Sequence, residues 1–184
     1  MNNSQKVVVL TELIEQMLNC GSWCGETHIQ KETYFLQTLT DVPLEFKFAL
    51  YKHGPYSFEL RDKLTELRAD EFLELVRRPR PYGPSYETTE HSNRLRMRFK
   101  KTMAKYRGPI EFVAKHLGNK GVVELEQLST ALLVTEQLGR NSAANKRAEH
   151  IHHVKPHVSL HDAINAVSVI DDYVDKAATL VPAS

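Results

Sequence analysis

The segment His53-Gly54-Pro55-Tyr56-Ser57 constrains this chain more than any other, because few backbone courses can pass through it. Glycine reaches conformations closed to other residues, and the proline after it fixes φ, so the chain is sharply redirected there. Ser57 is then placed to accept from free amides at the start of a helix carrying Leu60, Leu64 and Leu67. Upstream, Leu44 to Tyr51 alternates loosely, with Phe46 and Phe48 set against Glu45 and Lys47. That pattern predicts a short strand running into a Gly54-Pro55 turn. Two functions are open for the segment: a strand-to-helix connector, or a surface whose rim is Tyr51, His53 and Tyr56.

Helical stripes flank it on both sides. Leu10, Leu13, Ile14, Met17 and Leu18 fall at the spacing of an amphipathic helix, whose end is bracketed by Gly21 and Gly25. Thr27 is the expected N-cap of a second helix with Ile29, Leu36 and Leu39 on one face and Gln30 and Lys31 beside them; Asp41 and Pro43 stop it. After the third helix, Phe72 to Val76 and Ser85 to Thr89 flank Pro79-Arg80-Pro81-Tyr82-Gly83-Pro84, two strands around a stiff loop. Helix, helix, short strand, helix and wing is the order of a winged-helix module. Arg94 to Phe99 also alternates with period two, which would let the wing run on before the next helix. Further helices are expected around Leu125, Leu128, Leu132 and Leu138, over 142–153, and over 160–178 with Ser159 and Asp162 at its start. The expected fold is mainly α with a small β component. A winged-helix-like N-terminal module (1–90) is fused to a C-terminal helical bundle (91–184), and the two share one core as a single structural domain.

A chain of 184 residues, 41% hydrophobic and 26% charged, has ordinary globular composition and is too apolar for disorder. It has no run approaching the ~20 apolar residues that span a bilayer, and its two cysteines fit a reducing compartment. A cytoplasmic location without membrane attachment is expected. The net charge of +1 hides an uneven distribution. Residues 77–107 hold 10 Lys/Arg against 2 Asp/Glu, whereas residues 1–76 hold 7 against 12. Such a block either binds a polyanion or complements an acidic face of the same protein or of a partner.

Several of these residues also carry a resemblance. Ile29-Gln30-Lys31 with Tyr34, followed by Tyr51-Lys52-His53-Gly54-Pro55-Tyr56-Ser57-Phe58-Glu59-Leu60, resembles the YwgA-like family of bacterial proteins and, more distantly, the SocA/Panacea antitoxin domain. The similarity continues at Tyr86-Glu87-Thr88-Thr89-Glu90, from Leu125 to Leu133, and at Lys155-Pro156-His157-Val158-Ser159. The chain departs from the family at Gly25-Glu26-Thr27-His28, where two basic positions are lost and an acid appears. The resemblance implies the fold above and, for the antitoxin-like relatives, binding to diverse protein partners.

Two classes of function follow. The first is an antitoxin-like adaptor or regulator that binds a protein partner, with Tyr51, His53 and Tyr56 of the redirected segment and Arg77, Arg78 and Arg80 of the wing as candidate contacts. The second is a winged-helix DNA-binding regulator, acting as a homodimer, in which Arg94, Arg98, Lys101 and Lys105 form a basic stripe able to grip phosphates. The third helix makes a poor groove reader, since Arg61, Lys63 and Arg68 are offset by Glu59, Asp62 and Glu66. No catalytic residue, cofactor or metal is expected. There is no Gly-x-Gly-x-x-Gly, Walker loop, Gly-x-Ser-x-Gly or His-Glu-x-x-His. Cys20, Cys24 and His28 recur every four residues and His150, His152, His153, His157 and His161 cluster later, but glycines and Pro156 interrupt both groups. Asp171, Asp172 and Asp175 are expected on the solvated side of the last helix.

Overall fold

A computed structural model of the chain describes residues 1–79 and 83–180. It is built from α1 (Asn3–Asn19), α2 (Glu26–Thr40), β1 (Ala49–Tyr51), β2 (Gly54–Tyr56), α3 (Phe58–Ala69), β3 (Leu73–Val76) and β4 (Ser85–Thr88). Then follow α4 (Glu90–Arg98), α5 (Lys100–Leu117), α6 (Val122–Leu138), α7 (Ala144–Val154) and α8 (Leu160–Ala178). The protein is thus mainly helical with a small β component. None of the described helices is long and apolar enough to cross a membrane.

Helix α1 starts at a capping box: Asn2 accepts from the Gln5 amide at 2.9 Å, and the Gln5 side chain accepts from the Asn2 amide at 3.0 Å. Leu10, Leu13, Ile14 and Met17 of its apolar stripe are buried, as the spacing predicts, together with Val7, Val8 and Val9, and Leu18 is partly buried. Helix α2 is the centre of the fold. Every residue from His28 to Leu36 is buried, including Gln30, Lys31, Glu32 and Thr33, so the amphipathic reading of this helix fails and its polar side chains need internal partners. Gly25, in extended backbone (φ −73°, ψ 168°), is its N-cap rather than Thr27, which already lies within the first turn. Asp41 ends it in the left-handed conformation at φ 51°.

The strand expected over 44–51 is only its last three residues. Val42, Leu44 and Phe46 alternate in burial with Pro43, Glu45 and Lys47, but no strand pairs with them. Gln37 holds this stretch instead, accepting from the Phe46 amide at 2.8 Å and donating to its carbonyl at 3.0 Å. Gly54-Pro55 is likewise not the turn. It lies in β2, which pairs antiparallel with β1 in the register Tyr51↔Gly54, Leu50↔Pro55 and Ala49↔Tyr56. The reversal falls on Lys52 and His53, and Gly54 takes φ +85° to close it. The wing strands form as expected, Leu73↔Thr88 through Val76↔Ser85. Among the described residues the two hairpins are separate two-stranded sheets.

Thr89 and Ser92 cap α4, so Arg94 to Arg98 is helical rather than a continuation of the β3–β4 hairpin, and Phe99 (φ −103°, ψ 41°) breaks α4 from α5. Ser159 accepts from the Asp162 amide at 3.1 Å and starts α8. Of the acids of α8, Asp171 is partly exposed and also paired inward. It takes two hydrogen bonds of 2.7 Å from Arg147 of α7, a guanidinium buried between these helices. One contiguous core runs from Val7 to Tyr173.

Candidate functional site

The redirected segment is fastened from two helices and one interhelical connection. Gln30 of α2 reads the backbone of Ser57 with both ends of its amide, accepting from the N–H and donating to the carbonyl, each at 2.9 Å. Its neighbour Lys31 donates to the Pro55 carbonyl at 2.7 Å. From the α7–α8 connection, Lys155 donates to the carbonyls of Tyr51, at 2.8 Å, and of Lys52. Helix α6 supplies the floor. A Cβ on Gly54 would sit 2.9 Å from Ser129 Oγ and 3.3 Å from Thr130 Oγ1, so only glycine fits between hairpin and helix.

Buried charge ties these contacts together. Glu126 of α6 meets Lys155 at 3.1 Å, His157 at 3.2 Å and His53 at 3.3 Å. Burial alone would raise the Glu126 carboxyl, but its hydrogen bonds with Lys155 and His53 outweigh that and hold it below the ordinary value. Lys31 is 1% exposed. Burial pushes its amine down to about 8, against the pull of Glu126 and with the push of Lys155. His53 therefore faces inward to Glu126 with one ring nitrogen while the ring remains half exposed.

The outer side of the same hairpin is aromatic. Tyr51 and Tyr56 lie 5.6 Å apart between ring centroids, and Phe58 at the start of α3 joins them at 5.9 and 5.2 Å. Tyr51 is 59% exposed, Phe58 50% and Leu50 38%. Tyr56 donates its hydroxyl to Glu26 of α2 at 2.6 Å, and Arg61 lies over the Phe58 ring at 5.2 Å. The sequence offers Tyr51 and Tyr56 as a rim and sets Phe58 inward as an anchor of the turn against the first two helices, whereas the Phe58 ring is 50% exposed and stands beside the two tyrosines. Sequence reasoning also leaves Glu126 unremarked, a lone acid in an apolar helical stripe.

Arg77 and Arg78 directly follow β3. Arg78 is committed within the protein, donating to Ser85 at 2.8 Å and to Glu87 at 2.6 Å and covering the Trp23 ring at 5.8 Å. Arg77 is exposed, and Arg80 lies outside the described residues. Between wing, α3 and the starts of α2 and α6 is a cavity of about 890 Å³, with Trp23, Glu26, Arg61, Arg68 and Tyr86 in its walls. Arg94, Arg98, Lys101 and Lys105 are all exposed along α4 and α5.

The cysteines and histidines do not converge. Cys24 is buried, its thiol pushed well up by burial and then by Glu32, and donates weakly to the Ile14 carbonyl; Cys20 is exposed. Burial lowers the His28 imidazole against a hydrogen bond to the Lys120 backbone. Among the described residues no group of three or more His, Cys, Asp or Glu side chains is placed to hold a metal ion. Compared with known proteins, the chain matches no protein-family model and no curated sequence.

Proposed function

We propose that this chain is a cytoplasmic, non-enzymatic interaction protein, an antitoxin-like adaptor or regulator that holds a protein partner against its β1–β2 hairpin. The observation that carries this reading is the mutually packed trio Tyr51, Tyr56 and Phe58, of which Tyr51 and Phe58 are exposed and Tyr56 is half-buried. Large aromatic rings left in water on a fixed backbone are the usual centre of a protein interface, since they bury much area at low entropic cost. The hairpin beneath them is fixed by Gln30, Lys31 and Lys155. The partner offers an apolar or aromatic side chain to this trio. In this reading residues 1–90 act as a winged-helix-like module that presents the hairpin, and the helices after it serve as its support.

A photo-crosslinking residue placed at position 58 in the native host tests this. Illumination should give one discrete heavier adduct, which Tyr51→Ala reduces at least about tenfold, the effect expected for a hot-spot ring. The same probe at Lys146, on exposed α7, should give none. Equal labelling from both positions, or an adduct indifferent to Tyr51→Ala, would overturn the proposal.

A further inference from the structure

Helices α4 and α5 carry a second surface of different chemistry. Arg94, Arg98, Lys100, Lys101, Lys105 and Arg107 are all exposed. No acid falls between Glu90 and Glu111, and none of the six makes an ion pair among the described residues. Elsewhere cations are mostly taken: Arg61 by Asp62, Lys63 by Glu66, Arg78 by Glu87, Arg140 by Asp175 and Arg147 by Asp171. Within the block itself, Arg96 points the other way, into α1, where it reaches Glu12 and Glu15 at 3.5 and 3.4 Å and donates to the Thr11 carbonyl at 2.8 Å. The acidic N-terminal region therefore neutralises one arginine of this strip and leaves six cations facing outward.

We infer that this strip binds the sugar–phosphate backbone of duplex nucleic acid without reading its sequence. Its cations lie at residues 94–107 of two successive helices that meet at Phe99, and a duplex presents about one phosphate charge per 1.7 Å of axis. The strip continues toward α3, because Arg94 shares one groove with the unpaired Arg68 and a second groove with Arg98. Glu71, Glu74 and Glu90 also line those grooves, so the phosphates follow α4 and α5 rather than the groove floors. Recognition through α3, as in a winged-helix reader, is not part of this inference, since Arg61 and Lys63 are held by Asp62 and Glu66. An anionic membrane fits less well. Leu95, Phe99, Met103 and Tyr106 are turned partly inward, which leaves Met97 as the one large apolar side chain of α4 and α5 exposed, at 66%.

Fluorescence anisotropy with a labelled 20-base-pair duplex of arbitrary sequence tests the inference on the whole chain. Binding at about 50 mM salt should weaken at least about 30-fold by 200 mM, with equal affinity for an unrelated duplex. Arg94→Glu/Arg98→Glu/Lys101→Glu/Lys105→Glu should abolish binding, and Arg94→Gln alone should flatten the salt slope by about one. Lys146→Glu should leave binding unchanged. The inference fails if no binding occurs at 50 mM salt, if Lys146→Glu weakens it as much as the strip variants, or if vesicles of phosphatidylserine bind where the duplex does not. Loss of helical circular dichroism in the fourfold variant would leave the Arg94→Gln slope to decide, and an unchanged slope would overturn the inference.

Discussion

At the scale of single residues, Glu32 is the side chain most at odds with its surroundings. It is 0% exposed, and neither carboxylate oxygen has a hydrogen-bond partner in the structure. Burial raises its carboxyl well above the ordinary value of 4.5. The folded state thus keeps a proton that the unfolded chain gives up, so stability present below pH 4.5 is lost as pH rises toward the folded value. Glu32→Met removes both the orphaned oxygens and the titration. It should stabilise the protein by about 1–3 kcal/mol at pH 8, with the gain shrinking toward pH 4. Urea unfolding at the two pH values measures this; a gain that does not change with pH would refute the assignment. Of the polar residues beside Glu32 on α2, Gln30 and Lys31 have the hairpin backbone, whereas Glu32, with its charge felt at Cys24, and the Thr33 hydroxyl have no hydrogen-bond partner among the described residues.

At the scale of elements, α2 and the β1–β2 hairpin act as one unit. Removing the Gln30 amide by Gln30→Ala leaves the buried Ser57 N–H without a partner, while its carbonyl keeps the Arg61 amide at 3.1 Å. One orphaned donor corresponds to about 1–3 kcal/mol. The expected result is a loss of that size in thermal or urea unfolding, with faster hydrogen exchange at Ser57 and Tyr56 than in α8. Uniform exchange across the molecule would show that hairpin and helix are not coupled in this way. Much of this unit was legible in the sequence as pieces. Ser57 as a cap, the wing strands and α8 follow from local rules of spacing and capping, which act over three or four residues. What joins the pieces acts over 24 to 104 residues, and periodicity carries no trace of it. Gly54-Pro55 reads as a turn although its pairing with Tyr51 and Leu50 is local; its fit against Ser129 of α6 comes from the far half of the chain. Gln30 and Lys31 read as the polar border of an amphipathic helix. Of the aromatic site, Tyr51 and Tyr56 are legible by proximity, whereas Phe58, an apolar ring beside the turn, reads as an inward anchor of that turn and is instead half exposed.

At the scale of the whole molecule, Lys155 joins the last third of the chain to the first. It is 6% exposed, pairs with Glu126 and holds two hairpin carbonyls. Lys155→Met should cost about 3–5 kcal/mol, the range for a buried pair broken from one side, and should loosen residues 49–56 before the rest of the fold opens. Hydrogen exchange checks the order: protection at Leu50 unchanged while global stability falls would contradict it. The charged strip on α4 and α5 is remote from this linkage, so its variants should leave the exchange pattern of the hairpin intact. The separation of Lys155 from Tyr51, 104 residues along the chain, has a bearing on synthesis as well. A polypeptide still emerging from the ribosome has its aromatic trio long before it has the lysine that immobilises the backbone beneath those rings. Gln30 and Lys31 hold the hairpin from the upstream side alone until Lys155 is made, so a chain stopped short of residue 155 would carry the same rings on a less firmly held backbone.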